Sequence, residues 1–115
     1  MKLWVDDLRP APNGYIWAKS VNEAKTAILD FEEQKENALD EWDIPPIGVW
    51  EATIEVIDID HDAGDYYKDG GDYIELLNWL ELTKRNYPIH LHSMNPVGIQ
   101  NMRAIIEKNR WREIR

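Results

Sequence analysis

Two adjacent aspartates, Asp6 and Asp7, close a short apolar run near the start of the chain. A second group, Asp58, Asp60 and Asp62, opens a segment, residues 58–73, that carries six aspartates in sixteen positions. Carboxylates this dense repel one another, so either a cation holds them or they merely begin solvated turns; Mg²⁺ takes such oxygen ligands while keeping waters that phosphate oxygens can replace. Asp6, Asp7 and Asp60 are the predicted metal ligands. All three histidines lie beside these segments or in one further apolar run: His61 follows Asp60, and His90 and His92 sit just before Ser93. A histidine beside carboxylates is favoured in its protonated form and can serve as acid, base or phosphate ligand near neutral pH. His92 is predicted to be the general acid or base, with His61 and Asp62 orienting water or substrate. His90, deeper in its run, is read as a packing residue. Arg9, Ser93, Asn95 and Arg103 are the predicted donors to phosphate oxygens, by charge or by hydrogen bond.

The same aspartates also match part of a calcium loop, with Asp58, Asp60 and Asp62 at its opening and Asp69 at its twelfth position. Two departures weigh against it. Ala63 stands where the tight turn needs glycine, and Asp69 is shorter than the glutamate that closes such loops. The turn Asp69, Gly70, Gly71, Asp72 is read as structural, because its flanking charges would repel an anion.

These side chains need elements to carry them to one place. The run 3–5 reads as a short buried strand delivering Asp6 and Asp7 at its end. Pro10, Pro12 and Gly14 make the next segment a loop, and residues 15–18 resume strand character with aromatic and β-branched residues. Ser20 and Glu23 form a capping box that opens a helix with Val21, Ala24, Ile28 and Phe31 on one stripe. Residues 32–53 show neither period and are read as a surface excursion holding Trp42, Trp50 and the Pro45–Pro46 pair. The apolar run 52–59 suits a central strand covered on both faces. Tyr73, Leu76, Leu77 and Leu80 recur at helical spacing, and residues 87–93 read as another strand. Asn95 and Pro96 then look like the N-cap and first position of a helix turning Ile99, Met102 and Ile106 inward. Residues 111–115 form a last short strand or a tail.

The order β, β, α, β, α, β, α predicts an open, mainly parallel α/β sheet of the doubly wound type, with ligands bound at the strands' C-terminal edge. Asp6 and Asp7, residues 60–62, and residues 92–95 all fall on that edge. Composition bounds the partners. At 115 residues the chain is sized for one domain, and 43% hydrophobic residues with six tryptophans indicate a globular fold. Twenty-two acidic residues against thirteen basic ones, a formal charge of −9, exclude electrostatic coating of nucleic acid. The absence of cysteine excludes disulfides and thiolate zinc sites. No apolar run suits a signal peptide or membrane span, so the cytoplasm is the expected location.

Taken together, LWVDDLRPAP, AKSVNEAKTAI, DHDAGDY with DGGDYI, and HSMNPVGIQNM resemble the cyclic-phosphate-processing receiver-domain family, a relative of response-regulator receiver domains. The resemblance implies a flavodoxin-like sheet, shortened here because a proline loop replaces the first helix. It places Asp6 with Asp7 at the receiver's Mg²⁺ pair, and Asp60 at its phosphoryl-accepting aspartate. No lysine follows a clear fifth strand, which argues against an ordinary two-component switch. The family implies action on cyclic phosphates at a nucleotide or RNA end. The expected function is therefore a Mg²⁺-dependent phosphoesterase, with Asp60 as ligand or nucleophile. The second reading is a non-catalytic module that binds a phosphorylated ligand or a protein partner.

Overall fold

The computed structural model describes residues 1–41 and 52–115; the part of the predicted excursion holding Trp42, the Pro45–Pro46 pair and Trp50 lies outside them. Five strands form one parallel sheet: β1 (Lys2–Val5), β2 (Tyr15–Ala18), β3 (Val56–Ile59), β4 (Ile89–Leu91) and β5 (Glu113–Ile114), in the order β2-β1-β3-β4-β5. Among the described residues three helices connect them: α1 (Val21–Glu41), α2 (Ile74–Leu82) and α3 (Pro96–Asn109), with a 3₁₀ turn at Gly64–Lys68. This is a shortened flavodoxin-like receiver fold.

The helices occupy one face of the sheet. From β2 the chain crosses to β3, then β4, then β5, always in the same direction, and right-handed crossovers then put the described connecting helices on the same side. Only the step from β1 to β2 runs the other way, and it is the proline loop, closed by the Tyr15 amide on the Pro12 carbonyl and by Gly14 at φ +86°. Leu3, Val5, Ile57, Ile59 and Ile89 turn toward the helices and are fully buried with Val21, Ala24, Ile28, Leu76, Leu77, Met102 and Ile106. On the opposite face Lys2 is exposed, and Trp4, Tyr15 and His90 are half-buried. Among the described residues there is one helical layer, so the second layer that a full doubly wound sheet would carry is not found there, while the expectation that β3 is covered on both faces holds. β3 is buried along its whole length, because on the side opposite the described helices Asp58 lies under two imidazoles.

α1 outruns its predicted end by ten residues, to Glu41. Residues 32–41 lack a regular apolar stripe but contain Glu, Gln, Lys, Ala and Leu with no glycine or proline, so propensity carries the helix where amphipathicity fades. Arg85 forms a two-pronged ion pair with Glu32 and anchors this half to the loop before β4. At its start, Ser20 Oγ accepts from the Glu23 amide at 3.0 Å, while the Glu23 carboxylate reaches back to the Lys19 amide. The 52–59 strand is shorter than expected, beginning at Val56, although Ile54 before it is buried. Of the predicted inward-facing residues, Phe31 and Ile99 are half-buried, and Gly98 takes the buried place beside Ile99.

Candidate functional site

The strand ladder itself aligns the site. The Asp6 amide bonds the Ala18 carbonyl at 3.2 Å, the Asp60 amide the Val5 carbonyl at 2.9 Å, and the His92 amide the Ile59 carbonyl at 3.0 Å. Asp6, Asp60 and His92 are thus the residues that follow three neighbouring strands, side by side at the sheet's C-terminal edge. Asp7 joins them, and Asp6, Asp7 and Asp60 offer carboxylate oxygens within 4.8 Å of one another. All-oxygen donors at this spacing can hold a hard divalent cation. The backbone keeps the place open: Gly64 sits at φ +55°, and a Cβ there would drive into the Asp7 Oδ2.

The two adjacent aspartates have different environments. Asp6 is fully buried, which opposes its charge, but Oδ1 accepts from the Arg9 and Leu8 amides at 2.9 Å each and Oδ2 accepts from His92 at 2.8 Å. These partners prevail and hold its carboxyl below the usual range. Asp7 is pushed up by desolvation, and the charges of Asp6, Asp60 and Asp65 add to this against the help of its own amide. A carboxylate raised by its neighbours is one that a bound cation would relieve.

His92 is the charge that answers Asp6. Its Nε2 meets Asp6 at 2.8 Å, its Nδ1 meets Asp58 Oδ1 at 2.6 Å, and its ring lies on Trp4 at 4.0 Å with the planes 5° apart. Two carboxylate partners require both nitrogens to donate, so the ring is an imidazolium. Burial opposes that charge, yet the hydrogen bonds to Asp58 and Asp6 outweigh it and raise the pKa above its ordinary 6.5. With its side chain 9% exposed and each nitrogen bonded to a carboxylate, the ring offers no free nitrogen to a substrate while those two bonds stand.

His61 is arranged differently. Its Nδ1 lies 2.8 Å from Asp62 Oδ1, and its Nε2 has no partner among the described residues. The carboxylate bond fixes the tautomer that leaves Nε2 as an acceptor; the Asn95 amide, 3.4 Å from the same Nδ1, is too distant to compete. The ring packs on Gly98 so closely that any Cβ there would collide with it. Asn95 caps α3 as predicted, its Oδ1 accepting from the Gly98 amide at 3.0 Å, and Ser93 Oγ accepts from the Asn95 amide at 3.0 Å. Arg9 extends an exposed guanidinium to the His92 carbonyl at 3.0 Å, bridging the loops after β1 and β4.

Arg103 does not join this group. Its guanidinium forms a bidentate pair with Glu113, which lies beside Ile89 at the start of β4, away from the strands' C-terminal ends. The calcium-loop alternative also dissolves. Asp58 bonds His90 and His92, while Asp69 accepts from Ser20 and Asn22 and ties the glycine turn to the start of α1. Asp58 is the participant that sequence reasoning missed as a partner of the histidines. Its signal was strand alternation, which puts Asp58 on one face of β3 and, on the same face, His90 in β4 and His92 just after it once the two strands pair.

A parallel α/β sheet with three strand-end carboxylates is the receiver class of domain. The chain belongs to the cyclic-phosphate processing receiver domain family, whose model matches residues 1–108. No curated protein and no solved structure matches it. No helix among the described residues is long and apolar enough to cross a membrane.

Proposed function

We propose that the strand-end carboxylates form a Mg²⁺ site at which the protein hydrolyses a cyclic phosphate on a nucleotide or RNA end. The observation that carries this reading is the adjacency of two unlike features: a carboxylate cluster that strains against its own charge, and a histidine held at Nδ1 whose Nε2 has no partner among the described residues. Asp7 and Asp60 would be the principal ligands, with Asp6, already committed to His92 and two amides, contributing a remaining lone pair or acting through a metal-bound water. The ion would supply Lewis-acid stabilisation of the phosphoryl charge.

The chain's own groups supply the rest. His61 Nε2 takes a proton from the attacking water, the water oxygen bonds to phosphorus, one ring P–O bond breaks, and the proton passes to the departing sugar oxygen. Asp62 holds the imidazole in the required tautomer. Arg9, the Ser93 hydroxyl proton and the Asn95 side-chain N–H groups are the donors for phosphoryl oxygens. His92 then acts as a positioning residue, fixing Asp6 and balancing its charge, and the proton-transfer role moves to His61 because both nitrogens of His92 are engaged.

The test follows a nucleoside 2′,3′-cyclic phosphate by ³¹P NMR with Mg²⁺ present. Wild type should yield the monoester, and His61→Gln should lower the rate by about 10²–10⁴-fold, with Mg²⁺-induced shifts at Asp7 and Asp60 retained. Metal shifts without turnover in wild type would leave a phosphate-binding module and overturn the catalytic reading.

A further inference from the structure

The sheet face opposite the described helices carries a second convergence of metal-binding atoms, distinct in chemistry from the carboxylate edge. Asp58 on β3 stands directly across from His90 on β4, and His92 follows two residues later on the same face. The Nδ1 atoms of both histidines point at one oxygen, Asp58 Oδ1, at 2.8 and 2.6 Å. We propose that Asp58, His90 and His92 form a binding site for a borderline divalent transition ion, Zn²⁺ being the type case.

Three observations support it. First, two N–H groups share a single carboxylate oxygen, so two protons occupy the gap between three donor atoms that could all face one cation. Zinc ligands stand about 2.0–2.2 Å from the ion, and a small outward shift of the two rings opens that space. Binding would release the Nδ1 protons. Second, His92 already has the outer partner that metal-bound histidines use: its other nitrogen meets the buried Asp6 carboxylate at 2.8 Å, and Trp4 fixes the ring plane by stacking. Such partners set the tautomer and raise ligand basicity. Third, the site is reachable. Asp58 and His90 line a groove of about 390 Å³ with Lys2, Tyr15 and Ile114, and the His90 side chain is 34% exposed. The groove leaves room for water as a further ligand.

Donor type separates this site from the carboxylate edge. Two imidazoles and one carboxylate favour a borderline ion, whereas Asp7 and Asp60 offer only oxygen and suit Mg²⁺. The His92 ring stands between the two, with Asp6 on one nitrogen and the proposed zinc on the other.

The experiment titrates the chelator-treated full chain with Zn²⁺ while ring ¹⁵N shifts of the three histidines are recorded. One equivalent should move the Nδ1 signals of His90 and His92 and leave His61 unchanged, and excess Mg²⁺ should not reproduce the change. His90→Ala, at a partly exposed position, should weaken Zn²⁺ binding by at least the roughly 10–100-fold that loss of an orienting partner causes. Asp58→Asn should do the same, and Asp7→Asn should leave the affinity unchanged. Zn²⁺ shifts confined to His61, or binding that survives His90→Ala but is lost in Asp7→Asn, would overturn the proposal, as would no binding.

Discussion

Replacing His92 by alanine tests the electrostatic account of the site. The change leaves Asp6, fully buried, and Asp58, 7% exposed, without the cation between them. Breaking a buried pair by deleting one partner costs about 3–5 kcal/mol. The lower end applies, because Asp6 keeps the Leu8 and Arg9 amides and Asp58 keeps His90. A loss of about 3 kcal/mol corresponds to a fall in Tm of about 12 °C, at roughly 4 °C per kcal/mol for a domain of this size. The pH dependence distinguishes charge from lost packing. The His92 pKa is raised in the fold, so its contribution is complete below the ordinary 6.5 and disappears as pH rises through the folded value. Asp6, with its pKa lowered, contributes above the ordinary 3.8 and loses that contribution as pH falls through its folded value. The gap between wild type and His92→Ala should therefore be widest between these limits and narrow above the His92 pKa. Urea unfolding at a series of pH values, with EDTA present to remove any metal, measures it. A gap below about 1 kcal/mol at pH 6, or one that does not change up to pH 9, would refute the imidazolium bridge.

Two further perturbations probe the carboxylate edge and the long helix. Asp7→Asn removes the group pushed up by burial and by Asp6, Asp60 and Asp65, and should stabilise the metal-free protein by about 0.5 kcal/mol while weakening Mg²⁺ binding. The gain should grow as pH rises from the ordinary 3.8 through the raised value, since the penalty is on the charged form; thermal unfolding with and without Mg²⁺ reads both effects. Glu32→Gln removes the carboxylate that Arg85 grips and that Tyr87 bonds, a contact that helps raise the Tyr87 phenol to about 12. It should cost about 1.5 kcal/mol at neutral pH in urea unfolding. Arg85 and Tyr87 hold the Glu32 pKa below its ordinary 4.5 against desolvation, so the wild-type advantage should vanish as pH falls through the folded value.

Much of the fold was legible because its signals are local. The capping box at Ser20, the Asn95 and Pro96 start of α3, and the short apolar runs that become β1, β3 and β4 each follow from propensity and side-chain spacing over a few residues. The strand-end positions of Asp6 and Asp60 followed as well, since they come directly after those runs. The end of α1 was not legible, because helix-forming residues without an apolar stripe look like a solvated loop until Arg85 arrives from elsewhere in the chain.

By itself, then, the sequence determined which side chains reach the sheet's C-terminal edge, through the order of its strands and the residues that end them. Tertiary structure alone decided which partners those groups meet. Pairing β1, β3 and β4 brought Asp6, Asp58 and His92 together across separations of up to 86 residues, committing both nitrogens of one histidine, while packing on Gly98 left the Nε2 of another unpartnered among the described residues. The crossover direction left one sheet face without a helix among the described residues and placed His90 on it. A histidine's role depends on which partners occupy its two nitrogens, and those partners come from strands that meet only in the folded sheet.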